Sequence, residues 1–527
     1  MKNIKKFFLN AIILCAVSML MRTVSVSFNV YVSNKAGAEA MGLYALLSGI
    51  YGFAVTFATS GINFATMRLV AQALGRNDGA EAKAALKRCA AYAFCFSTAA
   101  TAWLFLGAEF IGVKMLGDTR TVLSLRILSI TLIPIALSSV FNGYFTAVRR
   151  VYKNAAIQVC EQAVKIFTVS ALLSLLLPRG IEFACAALAL GGGVSECFSF
   201  LLSFTVFTID KKKLKRNKGD QKKHEKLTGE LLKTAIPIAS SAYVRSGLIS
   251  IEHMLIPVGL EKSGASRSVA LSLYGIIQSM VLPIVLFPAA LISSFSGLLV
   301  PELTECAVKN NKRQIRYICE RSIQMALIFA IGTSGIMICF SGELGAVIYP
   351  KESTSAYIKM LAPLIPIMYL DTTVDHMLKG LGEQFYSMIV NIADSALSVF
   401  LVWFLLPKMG IVGYVVTIYA TELINASFSV VRLIKKSGFT PHLFKWIVKP
   451  LFSIIGATCI SHMVFDVISL DAFSAATSLC IHVIFTIIVY ALTLIATNAF
   501  DREDIKWAIN IFKDRKSIKS DACHYSA

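Results

Sequence analysis

Arg22 and Arg245 each lie within a long apolar stretch. A charge at mid-membrane costs about 2.5 to 3.5 kcal/mol on insertion scales, so such a residue usually faces water or a partner. A guanidinium presents five donors in a planar fork that suits bidentate capture of phosphate. The suggested chemistry is anion binding inside a bilayer, and Ser240, Ser241, Tyr243 and Ser246 place hydroxyls around Arg245. The alternative is a structural arginine held by Glu252, Glu196 or backbone carbonyls. Glu252 is also the candidate balancing or proton-accepting group for both arginines. Glu161 and Lys165 are four residues apart with the acid first, the favourable order for an intrahelical pair. They either neutralise each other or line a wet interior. Asp371 and Asp375 share that spacing with like charges, so one carboxyl can hold a proton near neutrality, which suits H+ or Na+ coupling. Asp375, His376 and Lys379 also approach the cytoplasmic interface, where hydration alone accounts for them.

Such residues need a scaffold that crosses a membrane. The chain has 527 residues, of which 16% are charged and 56% hydrophobic, and its mean hydropathy of +0.68 excludes an ordinary soluble protein. A helix needs about 20 apolar residues to cross the hydrocarbon. Fourteen stretches qualify: 7–32, 41–64, 89–110, 123–146, 155–177, 181–208, 234–258, 270–298, 319–341, 356–378, 384–406, 411–434, 449–467 and 474–498. The expected fold is an all-α polytopic membrane protein with fourteen transmembrane helices. The start, Met1 to Lys6 followed by an apolar run, resembles a signal peptide with Ala36-Gly37-Ala38 as its cleavage site. That run is too long and another span follows at once, so it is expected to stay as the first helix.

With both termini in the cytoplasm, 38 of the 51 basic residues fall on the inner side. Ten fall outside (Lys35, Lys114, Arg120, Arg126, Arg179, Lys262, Arg267, Lys351, Lys359 and Lys408), and Arg22, Lys165 and Arg245 lie within spans. The net charge of +20 is therefore topological, and no nucleic-acid partner is implied. The longest connection, about 210–232, is cytoplasmic and carries Lys211-Lys212-Lys213-Leu214-Lys215-Arg216. It serves as a solvated linker near anionic lipid or as a docking site for a cytoplasmic partner. The outer loops are too short for an external catalytic domain. The twelve cysteines form no Cys-x-x-Cys and no metal-spaced set, and neither a phosphate loop nor a hydrolase motif occurs. The expectation is a non-enzyme without cofactor or metal, driven by an ion gradient, the membrane potential or the substrate gradient.

Leu132-Ile133-Pro134-Ile135 returns as Leu364-Ile365-Pro366-Ile367, and Leu43-Tyr44 returns as Leu273-Tyr274. The two offsets nearly agree and each spans six helices, an even number, which implies parallel halves related by an axis along the membrane normal. The expected division is a first lobe at 1–208 (helices 1 to 6), a linker at 209–233 and a second lobe at 234–440 (helices 7 to 12). Appended helices 13 and 14 follow at 441–499, with a tail at 500–527. At the repeat offset, Arg22 lands on Glu252, Glu161 and Lys165 land near Asn391 and Asp394, and Glu196 lands near Glu422 and Asn425. Pro134, Pro283, Pro288, Pro366 and Gly191-Gly192-Gly193 lie within spans, where they allow kinks.

Ala38-Glu39-Ala40-Met41-Gly42-Leu43-Tyr44, Ala58-Thr59-Ser60-Gly61-Ile62 and Arg68-Leu69-Val70-Ala71 resemble the first lobe of the stage V sporulation protein B and polysaccharide exporter group. Ser124 to Leu128 and Pro134 to Phe145 are similar to its fourth helix, and Leu273-Tyr274-Gly275, Pro283, Pro288 and Val300-Pro301-Glu302 continue the pattern. The group belongs to the MOP flippase superfamily. The resemblance implies alternating access between two six-helix lobes and a polyprenyl-diphosphate-linked oligosaccharide as substrate. Arg22, Arg245, Glu252, Glu161, Lys165, Glu196, Asn391 and Asp394 would line a central cavity, with helices 13 and 14 forming a lipid-side groove. The partners so implied are a lipid-linked glycan, membrane lipids and a coupling ion. The carboxylates also suit an ion-coupled exporter of organic cations.

Overall fold

The computed structural model describes residues 2–76, 78–211, 227–467 and 474–500, and among these no strand occurs. In chain order, α1 (Lys2–Ala36) leads to α2 (Ala38–Thr59), α3 (Ile62–Gly75) and α4 (Gly79–Glu109), which ends in a π-helical turn. Then come α5 (Thr121–Ala147), α6 (Val151–Leu176) and α7 (Ile181–Lys211). The second half of the chain begins with α8 (Leu227–Lys262) and α9 (Arg267–Gly275), followed by a π-helical turn (Ile276–Val281), α10 (Leu282–Leu286) and α11 (Ala289–Val308). It continues through α12 (Lys312–Cys339), α13 (Ser341–Ile348), α14 (Ser355–Leu361) and α15 (Ile365–Gly380). The last four helices are α16 (Gln384–Met409), α17 (Ile411–Ser437), α18 (Lys449–Val467) and α19 (Ala475–Ala496).

Twelve segments among the described residues are long and apolar enough to cross a membrane. Eleven of the expected stretches account for them, because 270–298 is divided into Arg267–Leu286 and Ala289–Val308. The remaining stretches, 7–32, 234–258 and 356–378, lie on α1, α8 and α14–α15, so fourteen crossings require these three as well, with Arg267–Leu286 and Ala289–Val308 forming one crossing between them. The 356–378 stretch is interrupted by a 3₁₀ turn at Ala362–Leu364, and α8 carries Arg245 and Glu252 in its interior. The basic run of the linker, beyond its first residue, and the tail after 500 lie outside the described residues.

Local sequence sets several helix limits. The Asp78 carboxylate accepts hydrogen bonds from the amides of Ala80 and Glu81, both at 2.9 Å, and caps α4. Ser60 and Gly61 both take the left-handed conformation (φ 44° and 69°), which splits the expected 41–64 stretch into α2 and α3. Pro283 stands in the first turn of α10, Pro288 caps α11 and Pro366 opens α15, positions that spare the missing amide. Pro134 alone of the four sits inside a continuous helix, α5.

The chain forms two compact units. One holds Ser27–Ser279 and Val399–Gly410, hereafter the α2–α9 unit; the other holds Met1–Val26, Met280–Ser398 and Ile411 onward, the α10–α19 unit. This partition places α8 and α9 with the helices of the first half of the chain. In the α2–α9 unit the backbones of α2 and α9 meet without side chains between them. A Cβ on Gly42 would lie 1.9 Å from the Leu271 carbonyl oxygen, and one on Gly275 would lie 2.2 Å from that of Ala38. α8 lies along α2, where Ser250 donates to the Gly49 carbonyl at 2.7 Å and Tyr243 hydrogen-bonds Ser60.

In the α10–α19 unit, α12, α15 and α17 bury Cys319, Ile318, Leu378, Met377 and Leu433. The final helix pair docks on α12 through two notches. A Cβ on Gly332 would meet the Tyr490 ring at 2.5 Å and one on Gly335 would meet Ile454 at 2.3 Å, while the Tyr490 hydroxyl donates to the Ile328 carbonyl at 2.8 Å. Each unit also holds a helix turn to the end of a later helix by a carboxylate between two bases. Asp210 of α7 receives Arg150 and Lys153 at 2.5 and 2.6 Å, whereas Glu383, between α15 and α16, receives Arg432 and Lys436 at 2.6 and 2.5 Å.

Candidate functional site

Two groups of polar side chains form inside the units, one in each. In the α2–α9 unit, Glu196 on α7 lies within charge reach of Glu161 and Lys165 on α6 and of the Tyr51 hydroxyl on α2. Tyr51 in turn hydrogen-bonds Thr131 on α5 at 2.5 Å. Four helices thus contribute to a group with two acids, one base and two hydroxyls. Glu161 and Lys165 form no ion pair with each other, so the self-neutralised intrahelical pair is not realised. Both are only partly buried, and α6 is among the least covered helices in the chain.

The polar group in the α10–α19 unit gathers three carboxylates. Glu422 on α17 lies within charge reach of Asp371 on α15 and Asp394 on α16. Asn425 donates to the Asp371 carboxylate at 3.3 Å. Three carboxylates so placed repel one another unless a proton or a cation joins them. Asn391 belongs to the same helix as Asp394 and spends its amide on the Ser387 carbonyl at 2.8 Å. Asp375 stands apart: it pairs with Lys379 at 2.5 Å and accepts a hydrogen bond from Ser387.

Arg245 is exposed near the middle of the 36-residue helix α8 and makes no ion pair or hydrogen bond among the described residues. Glu252 lies seven residues on, two helical turns later and on the same side of α8. Arg22 is likewise exposed on α1, in the segment assigned to the α10–α19 unit. The hydroxyl of its neighbour Thr23 donates back to the Met19 carbonyl at 3.0 Å.

A further feature has no single-residue signature. An apolar cavity of about 490 Å³ lies among α12, α15 and α18, lined by Leu327, Ile331 and Ile338 from α12, Pro366 and Leu370 from α15, and Ile454 from α18. Ser334, also in its wall, donates to the Ala362 carbonyl at 2.8 Å, which leaves the lining greasy. Tyr51, Thr131 and this cavity escape sequence inspection. Glu422 and Asn425 are found only by adding the repeat offset to Glu196.

Known proteins share both sequence and fold with this chain. Stage V sporulation protein B of Bacillus subtilis (strain 168) is 26% identical over 411 residues, covering 77% of this chain and 79% of that one. Sporulation protein YkvU of the same organism is 21% identical over 365 residues, covering 68% and 79%. Among solved structures, the lipid II flippase MurJ in an inward closed conformation superposes with a TM-score of 0.68 at 14% identity, covering 91% of this chain and 98% of that one. An inward-facing multidrug resistance MATE family transporter of the MOP superfamily gives 0.58 at 14% identity, covering 80% and 96%. The fold is that of the MOP transporters, and the chain is a multi-pass membrane protein. Residues 7–296, more than half of the sequence, match the polysaccharide biosynthesis protein family, and the chain belongs to that family.

Proposed function

We propose that this chain is a flippase that carries a lipid-linked oligosaccharide, joined to its polyprenyl tail through a diphosphate, across the cytoplasmic membrane by alternating access. The observation that carries this is Arg245: a guanidinium about 27 Å along α8 from Leu227, exposed, with no protein partner among the described residues to spend its donors on. A diphosphate supplies the acceptors that such a fork lacks. Arg22 offers a second guanidinium on α1, and Glu252 is the acid that balances Arg245 when the site is empty. The apolar cavity among α12, α15 and α18 suits a section of isoprenoid chain. Family membership in polysaccharide biosynthesis and the fold shared with a lipid II flippase support the same substrate class. The chain crosses the membrane fourteen times with both termini inside, as two six-helix lobes plus the final pair, and acts without enzymatic chemistry.

Coupling resides in the acidic group. Asp371, Asp394 and Glu422 take up H+ or Na+, and Asp375, already paired with Lys379, serves packing instead. The same acids support a second function, ion-coupled export of organic cations, in which they bind the substrate itself.

The deciding experiment compares cells with and without the protein for accessibility of candidate lipid-linked glycans in the outer leaflet, with Arg245→Ala as the companion. Depletion should trap the glycan on the inner face, and Arg245→Ala should do the same. Equal outer-leaflet accessibility in all strains would remove the flippase function for those glycans. Vesicle export of a fluorescent cation that survives loss of both arginines would favour the second function.

A further inference from the structure

Three connections far apart in sequence meet at one end of the α2–α9 unit, and the ion pairs there are used by neither polar group. Arg120, in the connection before α5, pairs with Glu39 at the start of α2 at 2.9 Å and with Asp118 at 2.8 Å. Arg267, at the start of α9, pairs with Glu261 at the end of α8 at 2.5 Å and approaches Asp118 at 3.9 Å. It also donates to the Leu116 carbonyl. Ser268 donates to the other oxygen of Glu39 at 2.6 Å. Asp118 is thus shared by two arginines from different halves of the chain. Burial alone would raise its carboxyl, but the hydrogen bonds and charge of Arg120, with the charge of Arg267, outweigh that and hold it below the usual aspartate range.

We propose that this cluster is a latch that holds the α8–α9 hairpin against the ends of α2 and α5, and that it opens during the transport cycle to expose the interior of the unit. Its build suits repeated opening. The side chains of Arg120, Glu39, Arg267 and Glu261 are 30%, 22%, 24% and 34% exposed, so water can replace each partner when the pairs separate. Beneath the cluster the interface runs backbone against backbone at Gly42 and Gly275. The α8–α9 hairpin is held together on its own account by the His253–Tyr274 hydrogen bond, so it can move as one piece. A break in the regular helix follows directly: the π-helical turn Ile276–Val281, then Pro283 and Pro288 at successive helix starts. Ser279, in that turn, donates to the Met41 carbonyl of α2 at 3.2 Å, a contact that opening would break. The charge pattern of the chain puts the cluster on the outer face.

Two measurements test the latch, and only the second rests on the proposed flippase function. In intact cells, Ser279→Cys is labelled with a membrane-impermeant maleimide and read by mass spectrometry of its own peptide, which separates it from the native cysteines. Labelling should be slow with the latch intact and at least severalfold faster after Arg267→Ala, with a smaller rise for Ser268→Ala, which keeps every charge. Identical labelling in all three backgrounds, in protein whose amount in the membrane is unchanged, would show a static staple and overturn the proposal. The second measurement joins Glu39→Cys to Ser268→Cys by oxidation, with each single cysteine as control because Cys185 lies near Ala40. Glycan flipping should stop on oxidation and return with a reductant. Full flipping by the cross-linked protein would overturn the latch, whereas absence of flipping by the unaltered protein would overturn the flippase function and leave the labelling to decide the latch.

Discussion

The interiors of the α5–α7 and α15–α17 groups carry different electrostatic designs. In the first, Lys165 stands beside Glu161 and Glu196 and offsets one of the two carboxylates. In the second, Asp371, Asp394 and Glu422 gather with an asparagine. The first group carries a base among its acids, whereas the second sets three carboxylates around Asn425. The clamps near the ends of the same helices diverge in a matching way. In the first half the acid lies on the later helix and the bases at the turn; in the second the acid lies at the turn and the bases on the later helix. The tetrapeptide Leu-Ile-Pro-Ile likewise sits mid-helix in α5 but opens α15 after a 3₁₀ turn.

The contrast is broken most decisively by removing the acids of one half at a time. Asp394→Asn with Glu422→Gln should reduce ion-driven transport by roughly 5- to 150-fold, the span of a coupling free energy of about 1–3 kcal/mol. Glu161→Gln with Glu196→Gln should cost several times less, and equal losses would show that the halves are functionally alike. Next in size is Arg245. Replacement by Ala should lower flipping roughly tenfold or more, the expected loss for a hydrogen bond to a charged group, while Lys should restore only part because it lacks the fork.

The clamps sharpen the comparison through stability. Asp210 is 1% exposed and Glu383 13% exposed, so Asp210→Asn strands two bases against a deeper carboxylate site. It should lower stability by about 1–3 kcal/mol, read as a fall in Tm in detergent, with Glu383→Gln costing less. The smallest effect is with pH. Hydrogen bonds from Lys436, then from Arg432 against the opposing effect of burial, hold the Glu383 carboxyl below the ordinary glutamate range. A lowered carboxylate contributes stability above its unfolded range and loses it as the pH falls through its folded value. The Glu383 contribution should therefore be complete at neutrality and disappear only below about pH 4, and Glu383→Gln should flatten that part of the Tm profile.

The helices were legible because apolar runs in a bilayer have few alternatives: every expected stretch falls on helix, with ends moved by caps such as Asp78 and by the left-handed Ser60–Gly61 pair. The acidic group was legible only through the repeat, since Glu422 and Asn425 carry no motif of their own. The latch was hidden because Glu39, Asp118, Arg120 and Arg267 are separated by up to 228 residues and each looks like an ordinary loop charge. The cavity was hidden for a different reason. Its walls are common aliphatic side chains from three helices, with Gly335 and Ile454 meeting in the wall, and such residues carry no motif in the sequence.

The central claim is that Arg245 binds the diphosphate of a lipid-linked glycan as it crosses the membrane. It is tested most directly in vesicles that hold the purified protein and a fluorescent polyprenyl-diphosphate oligosaccharide, with an impermeant quencher added outside. Wild-type protein should let quenching proceed well beyond the outer-leaflet half, and Arg245→Ala should return it towards the level of protein-free vesicles. Wild-type vesicles that quench no further than empty ones, or an Arg245→Ala protein that flips at the full rate, would contradict the claim.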